Sequence, residues 1–156
     1  MAAHRVEIIP ATADHIEHIR EMVRPADRRE FAALAMSQGL ALRLSLRSAL
    51  AAWTGTVDGV PVCMFGVSPG EMTEGRPWMI GTKDLDEPLV ATIFLRRCRA
   101  QLNRMLQIRP VLVNYVSAEN TLAIEWLAWL GFIIETPIPW GPRGALFHRF
   151  SLRREP

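Results

Sequence analysis

The sequence predicts an α/β fold with a mixed β-sheet, in a single domain spanning residues 1–156. Short segments of alternating or continuous apolar residues, typical of strands, are interspersed with longer segments whose apolar residues recur at helical spacing. Glycine and proline residues mark the boundaries between these segments. With 49% hydrophobic and 22% charged residues, the chain has the composition of one ordinary globular domain.

The first third of the chain predicts one strand and three helices. Residues 6–9 alternate weakly and form the predicted strand. The segment from Thr12 has apolar residues at helical spacing and ends at Pro25. Because proline suits a first helical turn, a second helix is predicted to begin at Pro25 and to end before Gly39. A third, short helix is predicted at residues 41–50.

The middle of the chain predicts three more strands. Asp58 and Gly59 favour a type I′ turn, so the apolar segments on either side of them are predicted to form an antiparallel hairpin. Aromatic and β-branched residues then predict another strand after a loop. The predicted segments are strands at 52–57, 60–67 and 77–82, with the loop at 69–76.

The last part of the chain predicts two helices and three strands. A long helix carries an apolar stripe with most of its arginines off that stripe. A shorter helix follows a buried strand, with Asn120 as its N-cap and Gly131 as its C-terminal glycine. The predicted segments are helices at 87–107 and 121–130 and strands at 111–116, 132–136 and 146–152.

Charge and cysteine content exclude several classes of protein. A net charge of +2 gives little indication of nucleic-acid binding, and the arginine-rich helix lacks interleaved aromatic residues. Cys63 and Cys98 have no CxxC spacing and are predicted to be buried thiols. His15, His18 and Glu21 share a helix face, but no further ligand completes a metal site, so no metal is expected. Neither a membrane span nor a signal sequence is expected.

The order of elements resembles that of the GCN5-related N-acetyltransferase (GNAT) superfamily over nearly the whole chain. The residues that carry the resemblance are Asn120-x-x-Ala123-Ile124 followed by Gly131-Phe132. The resemblance implies a GNAT-like splayed sheet that binds acyl-CoA between its fourth and fifth strands. It also implies that the helix after Asn120 lies beside the pantetheine arm of that cofactor.

Cofactor binding is implied for four residues, although one signature of the superfamily is replaced. Val113 and Asn120 are the candidate contacts to the pantetheine arm. The segment that corresponds to the glycine-rich pyrophosphate loop, residues 81–92, reads GTKDLDEPLVAT and presents three carboxylates where an anion would dock. Lys83 and Arg96 are nearby cations that could still hold the anion. The expected cofactor is therefore either none or acetyl-CoA or another acyl-CoA.

The terminal proton donor of the superfamily is also replaced. In many members a tyrosine seven residues after the matching asparagine protonates the departing thiolate, and that position is Leu127 here. Tyr115, the sole tyrosine, is the alternative proton donor. Glu71 or Glu74, on the predicted loop before the fourth strand, could act as a base through water.

A narrower resemblance connects the chain with a small bacteriophage and prophage family related to a podophage internal virion or assembly protein. The segments that suggest it are PADRREF at 25–31, FGVSPGE at 65–71, PWMIGT at 77–82, NYVSAEN at 114–120 and WLAWLGF at 126–132. The leading hypothesis is a phage or prophage protein in virion structure or assembly, without ordinary acetyltransferase activity. The alternative is a diverged acyl-CoA-dependent N-acyltransferase acting on an unknown amine.

Partners and location follow from the same resemblance. Other phage proteins or a second copy of the chain are the expected partners, and nucleic acid is not. Trp140 in a Pro/Gly-rich loop and Trp129 on a helix are the candidate interface residues, because exposed tryptophans often anchor protein contacts. The expected location is the cytoplasm of a bacterial host, with the virion as a further possibility, and not the exterior of the cell.

Overall fold

The computed structural model describes residues 4–156, so the first three residues of the segment considered for a signal sequence lie outside it. Within these residues the helices are α1 (Ala13–Ile19), α2 (Pro25–Ala33), α3 (Gln38–Ser48), α4 (Pro88–Ile108) and α5 (Thr121–Leu130), with a 3₁₀ turn at Lys83–Asp86. The strands are β1 (Val6–Pro10), β2 (Ala51–Val57), β3 (Val60–Pro69), β4 (Glu74–Gly81), β5 (Val111–Ser117), β6 (Ile133–Ile134), β7 (Ile138–Trp140) and β8 (Ala145–Arg153). None of the helices in the described range is long and apolar enough to cross a membrane.

All strands of the described range belong to one mixed sheet. Its order is β1-β2-β3-β4-β5-β8-β6, and β7 pairs with β8 on the same side as β6. Neighbouring strands are antiparallel except β4 and β5, which run parallel. The prediction of an α/β fold with a mixed sheet in one domain is therefore confirmed.

Two apolar cores form on opposite faces of the sheet. β3 supplies both, because successive side chains of a strand point to opposite faces. Met64 packs with α1 and α3 residues, whereas Phe65 packs with Phe94 of α4 and with residues of α5. The sheet is therefore covered by α1–α3 on one side and by α4 and α5 on the other.

Local sequence signals account for several element boundaries. Asp58 and Gly59 adopt φ angles of 51° and 81°, which the tight turn between β2 and β3 requires, so the predicted hairpin is confirmed. The Asn120 side chain accepts a hydrogen bond from the Ala123 backbone N–H at 3.3 Å and caps α5. Gly131 ends α5 in the left-handed region at φ 101°, again as predicted.

Three elements have boundaries that differ from the sequence predictions. The first helix ends at Ile19 because Val23 forms an antiparallel bridge with Thr82 instead of another helical turn. The third begins earlier than expected, because the Ser37 hydroxyl caps it by accepting a hydrogen bond from the Leu40 N–H. The predicted strand at 132–136 is only two residues long, since only Ile133–Ile134 pairs with β8.

The two loops that the sequence predicts around 69–76 and after residue 136 are partly strands. β3 and β4 extend into the first loop, which leaves a turn at residues 70–73 and puts Glu74 in β4. β7 forms in the second loop despite Pro139. An edge strand tolerates proline, because only one side of it pairs with a neighbour.

Candidate functional site

The sheet opens into a gap between β4 and β5. The two strands pair only at Glu74–Val111 and Gly75–Leu112 and then separate. Directly beyond the last pair, the Asn114 side-chain amide donates a hydrogen bond of 2.6 Å to the Pro77 carbonyl oxygen. This side chain closes the narrow end of the gap, which widens toward Gly81 and Ser117.

One residue of β4 faces this gap with its backbone groups and without a partner strand. The Pro77 carbonyl points toward β5. The backbone N–H and C=O of Gly81 point the same way, because the N–H of the next residue, Thr82, points to the other side and donates to Val62 of β3. Peptide groups alternate in direction along a strand. The N–H and C=O of Met79 therefore also point into the gap, where no residue of β5 pairs with them.

A cavity of about 270 Å³ occupies the gap and reaches both faces of the sheet. Its lining is mostly apolar and includes Phe31, Leu34, Trp78, Met79, Met105, Trp126, Leu127 and Phe150. Its polar lining comes mainly from Arg24, Asp27, Glu30, Gln101, Asn114 and Asn120. An apolar cavity with a few convergent polar groups is the usual form of a small-molecule site.

A buried ion pair lies at the wide end of the gap. Asp27 Oδ2 accepts hydrogen bonds from Arg24 Nε at 2.9 Å and from the Gly81 backbone N–H at 2.8 Å. The Arg24 side chain is only 5% exposed, and no described residue gives its Nη1 group a hydrogen bond. The nearest further carboxylate, that of Asp86, is 3.7 Å from Nη1. Because Asp27 balances the charge of Arg24, the pair as a whole is neutral.

Glu30 stands beside this pair on α2. Its Oε1 accepts a hydrogen bond of 2.6 Å from the backbone N–H of Ser117, which joins α2 to the end of β5. Burial raises the pKa of Glu30 to about 7, and Asp27 adds to the increase, while the Ser117 N–H, Asn120 and Arg24 oppose it. A carboxyl group that is close to half ionised at neutral pH lines an apolar cavity and is suited to proton transfer.

The segment between β4 and α4 does not fit a pyrophosphate group. The Glu87 carboxylate accepts hydrogen bonds from the backbone N–H groups of Leu89 at 3.4 Å and Val90 at 3.3 Å. Pro88 at the first helical position has no N–H. The N–H groups that could bind a phosphate at this helix end are thus already used by a carboxylate of the chain itself.

The structure brings two of the sequence-predicted residues to the cavity. Tyr115 and Asn120 both line it, next to Glu30. The Tyr115 ring also stacks on the Trp140 ring, with ring centroids 3.7 Å apart and nearly parallel planes. Asn120 is buried and caps α5, so it has a structural task whether or not it contacts a ligand.

The other sequence-predicted residues do not line the cavity. Val113 is half-buried on β5 opposite Ser151 of β8, and Lys83 and Arg96 are exposed. Glu71 lies exposed in the turn before β4. Trp129 is 45% exposed, and the Arg99 guanidinium lies over its ring at 3.9 Å.

Sequence reasoning missed the three charged residues that the structure brings together, Arg24, Asp27 and Glu30. A signal for two of them was present. Asp27 and Glu30 are spaced three apart and share a face of α2 with Phe31. Carboxylates on the apolar face of a helix are rarely buried without a partner, and this pattern could have marked them.

Thiol and metal chemistry find little support in the described residues. Burial raises the pKa of Cys98, which lines the cavity, to about 11, so its thiol stays protonated at neutral pH. Within residues 4–156, no three metal-binding side chains come close together. His15 instead makes a hydrogen bond of 2.8 Å with the Thr54 hydroxyl.

The fold matches that of solved acetyltransferases along almost its whole length. The ribosomal-protein-S18-alanine N-acetyltransferase of Escherichia coli is 14% identical with a TM-score of 0.69, covering 97% of this chain and 96% of the other. A GNAT-family acetyltransferase of Bacillus anthracis is 10% identical with a TM-score of 0.70, covering 98% and 97%. The yncA protein of Salmonella typhimurium, solved with its cofactor acetyl-CoA, is 13% identical with a TM-score of 0.68, covering 96% and 94%.

No protein-family model matches the sequence, and no curated protein matches it. At identities this low the structural likeness establishes the fold alone. The chain therefore has the GNAT fold, and the expectation of a GNAT-like splayed sheet is confirmed. The narrower resemblance to a phage family stays a prediction.

Proposed function

We propose that the protein is an N-acyltransferase that moves an acyl group from a thioester to an amine. One observation carries this proposal: β4 and β5 separate around an apolar cavity whose wall holds Glu30, a carboxyl group with a pKa of about 7. The GNAT fold of the solved acetyltransferases supports the same reaction class. The acetyl-CoA in the Salmonella typhimurium protein supports a thioester as donor.

Met79 offers a backbone contact for the donor. Its N–H and C=O face the gap without a partner strand, so an extended thioester arm can pair with β4 there as an added strand would. The Met79 N–H would then donate to the thioester carbonyl oxygen. A hydrogen-bond donor at that oxygen stabilises the negative charge that develops there during transfer.

Glu30 is the proposed general base. A primary amine has a pKa of about 10 and is protonated at neutral pH, so it must lose a proton before its nitrogen attacks. Once this first proton has been lost to water, Glu30 would accept the second N–H proton as the new C–N bond forms and the C–S bond breaks. The thiolate then takes a proton from Tyr115, the candidate donor from the sequence, or from the protonated Glu30. In its ionised form, Glu30 also favours a cationic acceptor at this end of the cavity.

The reaction is tested by measuring thiol release from acetyl-CoA and from S-acetyl-pantetheine in the presence of a panel of amines. The panel contains polyamines, free amino acids and a peptide with N-terminal alanine, the residue that the Escherichia coli protein is named for. We expect at least one amine to accelerate thiol release, with mass spectrometry identifying the acylated product.

The test variant is Glu30→Gln, which removes the carboxylate at the cavity. Its matched control is Glu125→Gln, which makes the same change at an exposed position on α5. We expect Glu125→Gln to keep the activity and Glu30→Gln to lose most of it. Thiol release at the uncatalysed rate with every amine would contradict the proposed function.

A role in virion structure or assembly, which would require contacts with other proteins, is a second candidate, and one observation supports protein contacts of some kind. The surface near the C-terminus of α5 and β6–β8 exposes large apolar side chains, among them Trp129 at 45%, Ile133 at 69% and Leu146 at 51%. Exposed apolar patches often mark protein contacts. Co-purification of the chain with mature phage particles would support this candidate, and its absence from particles and their precursors would oppose it.

A further inference from the structure

The helix end that faces the gap is closed to a nucleotide by residues of the chain. Glu87 caps α4 with its own carboxylate, and Pro88 supplies no N–H. Leu85 of the 3₁₀ turn is fully buried, and a Cβ atom built on Gly81 would lie 2.5 Å from its side chain. The turn is therefore packed firmly onto the end of β4, and little space is left for a phosphate.

The charge of this segment also disfavours a nucleotide. Asp84, Asp86 and Glu87 stand against a single cation, Lys83, within residues 83–87. The pyrophosphate of a nucleotide carries at least two negative charges, and it would meet a surface of the same sign. Because a carboxylate already occupies the positive end of the helix dipole, that dipole offers no compensation.

Two residues that line the cavity each carry a buried polar atom with no hydrogen-bond partner among the described residues. Arg24 Nη1 makes no hydrogen bond, although only 5% of its side chain is exposed, and the Asp86 carboxylate that forms an ion pair with it lies beyond hydrogen-bond distance at 3.7 Å. Gln101 Oε1, from α4, is a buried acceptor without a donor. Buried polar groups almost always have hydrogen-bond partners in native proteins, so each of these atoms can take a polar group of a ligand as its partner.

One donor and one acceptor match a secondary amide, which offers a C=O and an N–H. Asp27 already neutralises Arg24 at 2.9 Å, so the pair suits a neutral oxygen better than an anion. The cavity, at about 270 Å³, is slightly smaller than the ~300 Å³ of the smallest sites for drug-sized ligands. A volume of this size suits an arm of the donor.

We propose that the donor is recognised through an amide-bearing, pantetheine-type arm, and that its nucleotide contributes nothing to binding. Arg24 Nη1 donates to an amide carbonyl of the arm, and Gln101 Oε1 accepts from an amide N–H. This inference rests on the proposed function, because it takes a thioester to be the acyl donor. Free coenzyme A and an arm carried on a protein share this chemistry, but only coenzyme A carries the nucleotide.

The experiment is a calorimetric titration of the purified chain with pantetheine, coenzyme A and ADP. We expect pantetheine and coenzyme A to bind with Kd values within threefold of each other, and ADP not to bind or compete. We expect Gln101→Leu to weaken pantetheine at least tenfold, whereas Gln107→Leu, an exposed position on the same helix, leaves the Kd unchanged. Arg24→Lys, which keeps the charge, should weaken pantetheine by a similar factor.

Glu87→Ser provides a test in the opposite direction. Serine can cap a helix without a charge, so this variant keeps the helix end and removes the carboxylate. We expect it to tighten coenzyme A relative to pantetheine. Because Arg24→Lys changes a buried ion pair, circular dichroism first verifies that this variant folds. If Arg24→Lys is unfolded, the effect of Gln101→Leu on pantetheine binding tests the proposal.

Three results would overturn the inference: coenzyme A binding more than tenfold tighter than pantetheine, competition by ADP, or no binding of either ligand. The proposed function fails separately. Binding of pantetheine without any thiol release in the presence of amines would contradict acyl transfer and leave the arm site standing. Turnover with acetyl-CoA but not with S-acetyl-pantetheine would contradict the arm site and leave acyl transfer standing.

Discussion

The carboxylate of Glu30 accepts a hydrogen bond of 2.6 Å from the backbone N–H of Ser117. This contact links α2 with the end of β5 across the wide part of the gap. It holds the carboxylate in one orientation at the wall of the cavity while leaving Oε2 free of that bond. A base that is fixed in this way does not need to reorganise before it accepts a proton.

The rate of acyl transfer should depend on the ionisation of Glu30. Since only the deprotonated carboxylate accepts a proton, we expect kcat/KM, calculated for the free-amine form of the acceptor, to rise with pH and to level off above a pKa of about 7. Glu30→Gln should lower kcat/KM by ~100-fold or more and remove this rise. The check is a pH–rate profile of both proteins, and a Glu30→Gln variant within threefold of the wild type would contradict it.

The stability of the fold should also depend on this group. Burial raises the folded pKa of Glu30 to about 7 from its usual 4.5, so the folded state holds the proton more tightly than the unfolded state. Its contribution is complete below about pH 4.5 and is lost as the pH rises through 7. Glutamine imitates the protonated form at every pH. We therefore expect the free energy of unfolding of the wild type, relative to Glu30→Gln, to fall between pH 5 and pH 8 in urea denaturation.

Thr82→Val should stabilise the protein. Thr82 is fully buried, and no described residue gives its hydroxyl a hydrogen bond, so valine removes a desolvated polar group at nearly constant shape. We expect the free energy of unfolding to rise by ~1 kcal/mol. The matched control is Thr54→Val, because Thr54 is equally buried but its hydroxyl contacts His15 at 2.8 Å. That variant should be less stable than the wild type, and equal effects of the two changes would count against the explanation.

Trp140→Ala should destabilise the protein by ~1–2 kcal/mol in chemical denaturation. The change removes a stacked aromatic pair with Tyr115 and some buried apolar area at a residue that is 39% exposed. If Trp140 also contacts another chain, sedimentation of the variant should show a smaller assembly than that of the wild type. An unchanged unfolding free energy together with an unchanged assembly state would remove both roles.

The parts of the fold that the sequence predicts well depend on local chemistry. The turn at Asp58 and Gly59 and the end of α5 at Gly131 each need a positive φ angle that few residues adopt. β7 could not be predicted in the same way, because it is only three residues long and the central one is Pro139, although Ile138 and Trp140 favour strands. Its pairing with β8 is a tertiary contact, and that contact decides the conformation.

The site was harder to predict than the fold. A family pattern draws attention to Asn120 and chemical type draws attention to Tyr115, and both line the cavity, while their roles stay predictions. The carboxylate at the cavity wall belongs instead to Glu30, on a helix far away in sequence from the strands that form the gap. Its raised pKa arises from burial by residues that only the folded chain brings together, so no local pattern reports it.

The narrow join between β4 and β5 has a consequence for how the molecule opens. Within residues 4–156, the strands on the two sides of the gap are joined by only two backbone pairs, Glu74–Val111 and Gly75–Leu112, and by the hydrogen bond from the Asn114 side chain to the Pro77 carbonyl. Each half of the sheet is otherwise held by its own antiparallel neighbours, so the halves can act as separate cooperative units in amide hydrogen exchange. A molecule seated in the gap touches both halves, and exchange should then slow in both together.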